Sequence, residues 1–320
     1  MLFAYREASG RLERLFVEEP LDGALWIDLY RPLDRQVQAV EALGVSVPSL
    51  EDMEEIEISN RLYREGGVDY MTVVLPGLSE SKAPISGPVT FMLMPDRLVT
   101  VRHHAPRPFE TYPQRADKVG PGCTSPEMIL LGLLEEVVGR LADLMEASGK
   151  ALDQVMKEVF TPPKGDRSGQ LQEALQRIGR EGDLVGRVRL SLLTLERMVS
   201  FYGQGHDAQG AGAKPLRPAV KGLMRDIQAL EVHADFLSSR VALAVDATLG
   251  MISLSQSQTI KMFSVLAVVF LPPTVIASAY GMNFDHMPEL HWDWGYPMAL
   301  GLMLASTVGT YLFFKWKSWF

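Results

Sequence analysis

The residues with the most chemical content lie in an uncharged stretch from Met262 to Phe284. Two consecutive prolines, Pro272 and Pro273, interrupt it and remove the amide donors that would pair with the carbonyls of Val268 and Val269. Unpaired carbonyls are costly in lipid, so this section is expected to face protein or a water-filled cavity. Ala267, Leu271, Thr274 and Ser278 recur at spacings of four, three and four, which places them on one helix face. The stripe extends back through Phe263 and Ile260 to Ser257. A face with small and polar residues in a membrane helix serves either helix packing or the lining of a pore, and both readings stay open on this stretch alone. On an ideal helix Asn283 lies about 140° round from Ser278, since each residue turns roughly 100°, so Gly281 would have to redirect the chain there.

Other candidate groups are weaker. The acidic run Glu51, Asp52, Glu54, Glu55 and Glu57 reads as a solvated helix face or as a weak, hydrated divalent-cation site. Mg²⁺ is typically held by a few carboxylates while it keeps several waters. His103-His104 stands near Pro106 and Pro108 in an expected loop, where paired histidines are solvated, and zinc would want further ligands that nothing nearby supplies. No GxxxxGKS/T phosphate loop, HExxH or GxGxxG occurs, so the expected class is not an enzyme. The single cysteine, Cys123, excludes an internal disulfide framework and a cysteine-cluster metal site.

The elements that must position these residues are legible in charge and hydropathy. From Lys261 onward three basic residues (Lys261, Lys315, Lys317) balance three acidic ones (Asp285, Glu289, Asp293), so the whole net charge of −8 falls on residues 1–260. That acidic bulk, without a basic block, argues against nucleic acid as a partner. Met262–Phe284 and Trp294–Phe314 are both free of charge and long enough to cross about 30 Å of hydrocarbon as helices. Trp292, Trp294, Tyr296, Trp316 and Trp319 suit interfacial belts at their edges. Lysines flank the outer ends of the pair and none lies in the link, which puts both termini in the cytoplasm and the link outside. Arg6, Glu7, Arg11, Glu13 and Arg14 interrupt the start, so no cleavable signal is expected there.

The remainder is expected to be an α/β domain followed by long helices. Short β-like runs cover Leu2–Arg6, Leu12–Val17, Ala24–Leu29, Val68–Leu75, Val89–Met94 and Arg97–Arg102, with helical stretches near 32–44 and 48–58. Ser125-Pro126-Glu127 supplies a capping hydroxyl, a first-turn proline and a carboxylate at the positive end of the dipole, opening a helix to Phe160. A second helix covers about 168–202, and Gly203 to Pro218 reads as a loop. No proline occurs from Ala219 to Leu271. Val220, Ile227, Ala234 and Val241 recur every seven residues, and Leu223, Leu230, Leu237 and Ala244 fill the intervening positions, the pattern of side-by-side helices. No stop precedes Met262, so stalk and first span read as one rod, suited to carrying a mechanical signal or simply to spacing. The expected organisation is therefore a cytoplasmic α/β domain at 1–123, long helices and stalk at 124–261, and a first span at 262–284. An external link at 285–293, a second span at 294–314 and a basic tail at 315–320 complete it.

Tyr280-Gly281-Met282-Asn283 at the outer end of the first span, followed by Met287-Pro288-Glu289-Leu290 in the link, resembles the CorA family of magnesium transporters. Trp26-Ile27-Asp28-Leu29, Leu50-Glu51-Asp52 and Phe270-Leu271-Pro272-Pro273 also look like that family, so the resemblance spans the chain. It implies a funnel-shaped homopentamer in the cell's inner (plasma) membrane, its stalk helices continuous with a pore-lining first span and its second span an outer ring. It further implies a filter at Tyr280, Gly281, Met282 and Asn283, and a channel closed by intracellular Mg²⁺ bound between cytoplasmic domains. Mg²⁺ is thus both transported ion and regulatory ligand. Asp226, following Arg225, resembles one of the family's cytoplasmic metal ligands; its partner on a neighbouring subunit is one of Glu51, Asp52, Glu54 and Glu55, and the choice stays open. Met282 and the link favour magnesium, with cobalt and nickel as passengers, over the family's zinc-transporting branch. Elementary physics agrees: two spans cannot enclose a path, so a channel must be a cyclic oligomer. A ring of neutral amides can hold hydrated Mg²⁺ loosely enough to release it. Asp285, Glu289 and Asp293, repeated around the ring, would concentrate cations. The rival readings are a zinc transporter, a membrane-tethered cation sensor without conduction, and a membrane-anchored enzyme.

Overall fold

The computed structural model describes residues 1–16, 19–55, 57–161, 167–208, 216–282, 287–288 and 292–317. Its contacts divide the chain into two units, Met1–Thr161 with Ala174–Val245 and Pro162–Glu173 with Asp246–Phe320.

The first unit is built on a sheet of β1 (Leu2–Ala8), β2 (Arg11–Arg14), β3 (Trp26–Tyr30), β4 (Leu62–Glu65), β5 (Val68–Leu78), β6 (Pro84–Leu93) and β7 (Leu98–Arg102), in the order β2-β1-β3-β7-β6-β5-β4. β3 and β7 run parallel and every other neighbouring pair is antiparallel. The two outer hairpins turn on positive-φ pairs, Ser9-Gly10 (φ 54°, 80°) and Gly66-Gly67 (φ 57°, 82°). That geometry matches the twist of the flanking strands. Short helices α1 (Asp34–Glu41), α2 (Leu50–Glu54) and α3 (Ile58–Arg61) follow β3, and α4 (Pro108–Thr111) follows β7.

Strand alternation sends Ile27 and Leu29 to one face, into a core with Val99, Val101, Met92, Val40 and Met53. Trp26 and Asp28 go to the other face. There Trp26 packs against Phe109 and Tyr112 at ring-centroid distances of 6.2 and 5.9 Å.

Three long helices follow: α5 (Pro126–Phe160), α6 (Arg167–Ala208) and α7 (Arg217–Tyr280). α5 starts as its sequence dictates, with the Ser125 hydroxyl accepting from the Met128 amide at 3.3 Å and Pro126 in the first turn. Along the stalk part of α7, Leu223, Ile227, Ala234, Leu237 and Ala244 are buried, while Val220, Leu230 and Val241 are half-buried. Every position of the predicted heptad stripe is therefore covered. Gly182 of α6 sits against Val241, and Gly149 of α5 against Leu237, so small residues let the helices approach. Ion pairs tie the same surfaces together: Arg189–Asp235 at 3.0 Å, Arg177–Glu158 at 2.6 Å, and Arg240 with Asp153.

In the second unit α7 continues without a break through Pro272 and Pro273 to Tyr280, 64 residues in all, and α8 (Gly295–Trp316) follows with 22. These are the two helices long and apolar enough to cross a membrane among the described residues.

Three expectations differ from the structure. β4 is an additional strand, paired with β5 through Gly66-Gly67. The stretch expected as one helix at 48–58 is split, with Glu55 extended between α2 and α3. α6 runs to Ala208, because the glycines at 203 and 205 are tolerated inside a packed helix; the expected loop overlaps residues outside the described set.

Candidate functional site

On the membrane part of α7 the chain's own contacts cover Val265, Val269, Pro272 and Ile276, buried or half-buried at spacings of four, three and four. Ala267, Leu271, Thr274 and Ser278 each sit two residues further on, about 200° round the helix. All four are exposed in the single chain, as are Ser257, Ile260 and Phe263. Leu271 at 64% and Phe263 at 60% leave that face with apolar surface that only lipid or another chain can cover. The Thr274 hydroxyl donates to the Phe270 carbonyl at 2.7 Å, a second donor beside the proline pair.

Helix α7 ends at Tyr280, which is half-buried. The Gly281 amide still donates to the Ala277 carbonyl at 2.9 Å, and the Met282 amide reaches Ala279 at 3.4 Å, so the helix loosens over one turn. A Cβ at Gly281 would meet the Ala277 carbonyl oxygen at 3.2 Å, a tight approach that glycine avoids. Met282 is exposed. Asn283, Asp285 and Glu289 lie outside the described residues; Asp293 is described and exposed.

The regulatory candidates separate by what they already do. Asp52 is engaged in the start of α2: one of its carboxylate oxygens accepts from the Ser49 amide (2.9 Å) and hydroxyl (2.7 Å). Those bonds, the hydroxyl's first, hold its carboxyl below the usual range. Glu55 accepts from the Asn60 side chain. Glu51, Glu54 and Asp226 are exposed, and their carboxylates make no hydrogen bond or ion pair among the described residues. Among those residues no three acidic, histidine or cysteine side chains converge on a common metal position in the single chain.

The histidine pair differs from expectation. His104 is buried at 2%, wedged between Gly77 and Gly87, with Nε2 2.8 Å from the Leu75 carbonyl oxygen. Desolvation, with Arg102 and His103 adding to it, pushes its pKa down to about 4. It is a core residue because the β5–β6 hairpin folds back over the end of β7, a contact no local pattern announces.

The Trp26-Ile27-Asp28-Leu29 motif has a concrete structural use. Trp26 Nε1 donates to the Thr100 hydroxyl (3.1 Å), Thr100 donates to Asp28 (2.9 Å), and the Arg102 guanidinium forks onto both Asp28 oxygens (2.9 and 3.2 Å). Asp28 and Arg102 are nearly inaccessible, so the chain holds a fully paired charge inside the sheet's second face. The sequence reading missed Arg102, 74 positions away, because the pair exists only through the parallel register of β3 and β7.

A family model described as CorA-like Mg²⁺ transporter protein matches residues 22–316. Magnesium transport protein CorA of Escherichia coli (strain K12) is 35% identical over 323 residues, covering 100% of both chains. Among solved structures, the complete CorA magnesium transporter from Methanocaldococcus jannaschii superposes with a TM-score of 0.70 at 17% identity, covering 100% of this chain and 99% of that one. The ZntB cytoplasmic domain from Vibrio parahaemolyticus gives a TM-score of 0.57 at 11% identity over 80% of this chain and 97% of its own. With a family match over most of its length and a full-length relative above 30% identity, the chain belongs to the CorA-like Mg²⁺ transporter family.

Proposed function

We propose that this protein carries Mg²⁺ across the cell's inner membrane through a homopentameric channel that closes when cytoplasmic Mg²⁺ is bound, and that it also passes Co²⁺ and Ni²⁺. The observation that carries the reading is the exposed stripe from Ser257 to Ser278, opposite the face the chain covers itself, leading to Tyr280, Gly281 and Met282, which Asn283 follows in the sequence. In a ring of five copies that stripe lines the path, and α8 stands outside it. Residues 1–123 form the cytoplasmic α/β domain, 124–261 the long helices and stalk, 262–284 and 294–314 the spans, 285–293 the outer link and 315–320 the cytoplasmic tail.

The ion is the cargo, and the chain's part is to meet it without stripping its water. Mg²⁺ dehydrates reluctantly, so neutral amide oxygens of Asn283, with carbonyls of the preceding residues, suit a hydrated ion better than carboxylates. Asp285, Glu289 and Asp293 raise the local cation concentration at the mouth. For the regulatory ion, Asp226 and one of Glu51, Asp52, Glu54 and Glu55 on a neighbouring copy are the ligands. Glu51 and Glu54 are favoured because their carboxylates are uncommitted, whereas Asp52 is used as a cap. Few-carboxylate binding of a hydrated ion suits a weak, reversible sensor.

The test is ion entry into proteoliposomes containing only this protein, comparing Mg²⁺ with Zn²⁺. Mg²⁺ entry is expected. Zinc entry alone would transfer the reading to the zinc-transporting branch, and no entry of either would leave a cation sensor.

A further inference from the structure

Away from the proposed ion path, the α/β unit holds a cavity of about 610 Å³. It opens where β3 and β7 end: Tyr30 and Arg102, both lining it, are the last residues of these strands and face each other in the register. Phe3, Tyr5, Leu12, Arg14 and Asp28 continue the lining across one face of β1, β2 and β3, and Phe109 and Glu110 of α4 border it. The volume lies within the about 300–1,000 Å³ usual for small-molecule sites.

The lining has a definite chemistry. Its floor is the closed Asp28–Arg102 pair, with Arg102 stacked 4.5 Å from the Tyr30 ring centre and 4.9 Å from that of Phe109. One wall is Tyr5, which already stacks on buried Trp26 at 4.8 Å and an interplanar angle of 21°, so a flat ring laid on Tyr5 would extend an existing pile. At the rim, the Arg14 guanidinium lies 4.6 Å over the Phe3 ring. Among the described residues the Arg14 side chain makes no hydrogen bond or ion pair. Stacking therefore fixes its plane while all five N–H donors stay available, the arrangement that suits two oxygens of a carboxylate or a phosphate. Its charge reaches the Tyr5 hydroxyl, whose pKa burial and Asp28 raise and Arg14 lowers. The exposed amide of Gln114 shares the rim, and Glu110 is the acid there, which favours a single oxyanion group over a di- or triphosphate.

We propose that this cavity binds a small molecule with a flat aromatic body and one oxyanion group, a carboxylate or a monophosphate. The ring lies on Tyr5 above the Asp28–Arg102 floor, and the oxyanion pairs with Arg14. Nothing in the ion path takes part, so the site stands whether or not the protein conducts.

The experiment is calorimetric titration of the full chain in lipid nanodiscs with adenosine 5′-monophosphate and with 2-naphthoate. Adenosine, 2-naphthol and inorganic phosphate serve as half-ligands. Saturable binding of at least one whole probe is expected, with its half-ligands at least tenfold weaker. Preference between the two distinguishes a nucleotide from an aromatic carboxylate. Arg14→Glu should weaken the bound probe at least tenfold, and Gln114→Trp, which fills the mouth, should do the same. Both positions are exposed, and unchanged hydrogen exchange in β3 and β7 would verify that the fold is kept. Binding of neither probe, a half-ligand as tight as the whole, or full affinity in Arg14→Glu would overturn the proposal.

Discussion

Replacing Asp28 by asparagine keeps the side-chain shape and one acceptor oxygen but removes the counter-charge of Arg102. Both groups are almost inaccessible, at 2% and 4%, and the carboxylate carries the Arg102 fork together with the Thr100 hydroxyl. Breaking a buried pair from one side costs about 3–5 kcal/mol, because the orphaned charge stays desolvated. The retained oxygen puts Asp28→Asn near the lower end, about 3 kcal/mol, against a typical domain stability of about 5–15 kcal/mol. A chain with two units need not unfold in one step, so a global midpoint is the wrong readout. Amide hydrogen exchange of peptides spanning Trp26–Tyr30 and Leu98–Arg102, in the full chain, reports local opening instead. At tenfold per about 1.4 kcal/mol, these amides should exchange about a hundredfold faster. Asp28→Leu combined with Arg102→Met removes both charges and should recover most of the loss, since well-packed apolar replacements of buried pairs are often neutral. Exchange within threefold of the parent in Asp28→Asn, or a double variant as open as the single one, would refute this account.

Acid should loosen the same sheet. His104 is neutral in the fold, with its pKa lowered from 6.5 to about 4, so the unfolded chain takes up the proton first as pH falls. Stability from this group is complete above pH 6.5 and is lost between 6.5 and 4, about 3 kcal/mol in all, a slope that exchange at stepped pH should find and His104→Asn should flatten. Gly77→Ala would set a Cβ 2.8 Å from the Ala105 carbonyl carbon and oxygen and should cost about 1–3 kcal/mol. Gly222→Ala, where a Cβ meets nothing within 4 Å in α7, should instead stabilise by about 0.4–1 kcal/mol; equal effects in thermal melts would contradict the packing. In flux assays Asn283→Ala should abolish Mg²⁺ entry while assembly survives, and normal entry would remove that residue from the path. Asp226→Lys should hold the channel more closed at low Mg²⁺, because a fixed positive charge takes the place of the ion's; an unchanged Mg²⁺ dependence would exclude it as a ligand.

Helices were legible in the sequence wherever their signals are local. Ser125-Pro126-Glu127 opens α5 where its hydroxyl cap, proline and carboxylate place it, and the heptad positions from Val220 to Ala244 are the ones the fold covers. The two membrane helices follow from length and absence of charge, and the signature around Gly281 carries the family resemblance by itself. β4 was also within reach, since Gly66-Gly67 between two β-prone runs is a hairpin signal.

Long-range register was not legible. Asp28 reads as one more acid on an acidic domain until parallel pairing of β3 with β7 brings Arg102 and Thr100 onto it, and Arg14 stands out only once β1 and β2 set it over Phe3 beside that pair. His104 reads as a loop residue until the β5–β6 hairpin encloses it. Periodicity shows which residues share a face, because 3.6-residue and two-residue repeats are properties of the chain itself. What that face meets is decided by which distant segment lies opposite, and hence by the tertiary fold. For the stripe from Ser257 to Ser278, sequence put the residues in line, and the fold left that line uncovered on the side away from Val265 and Ile276.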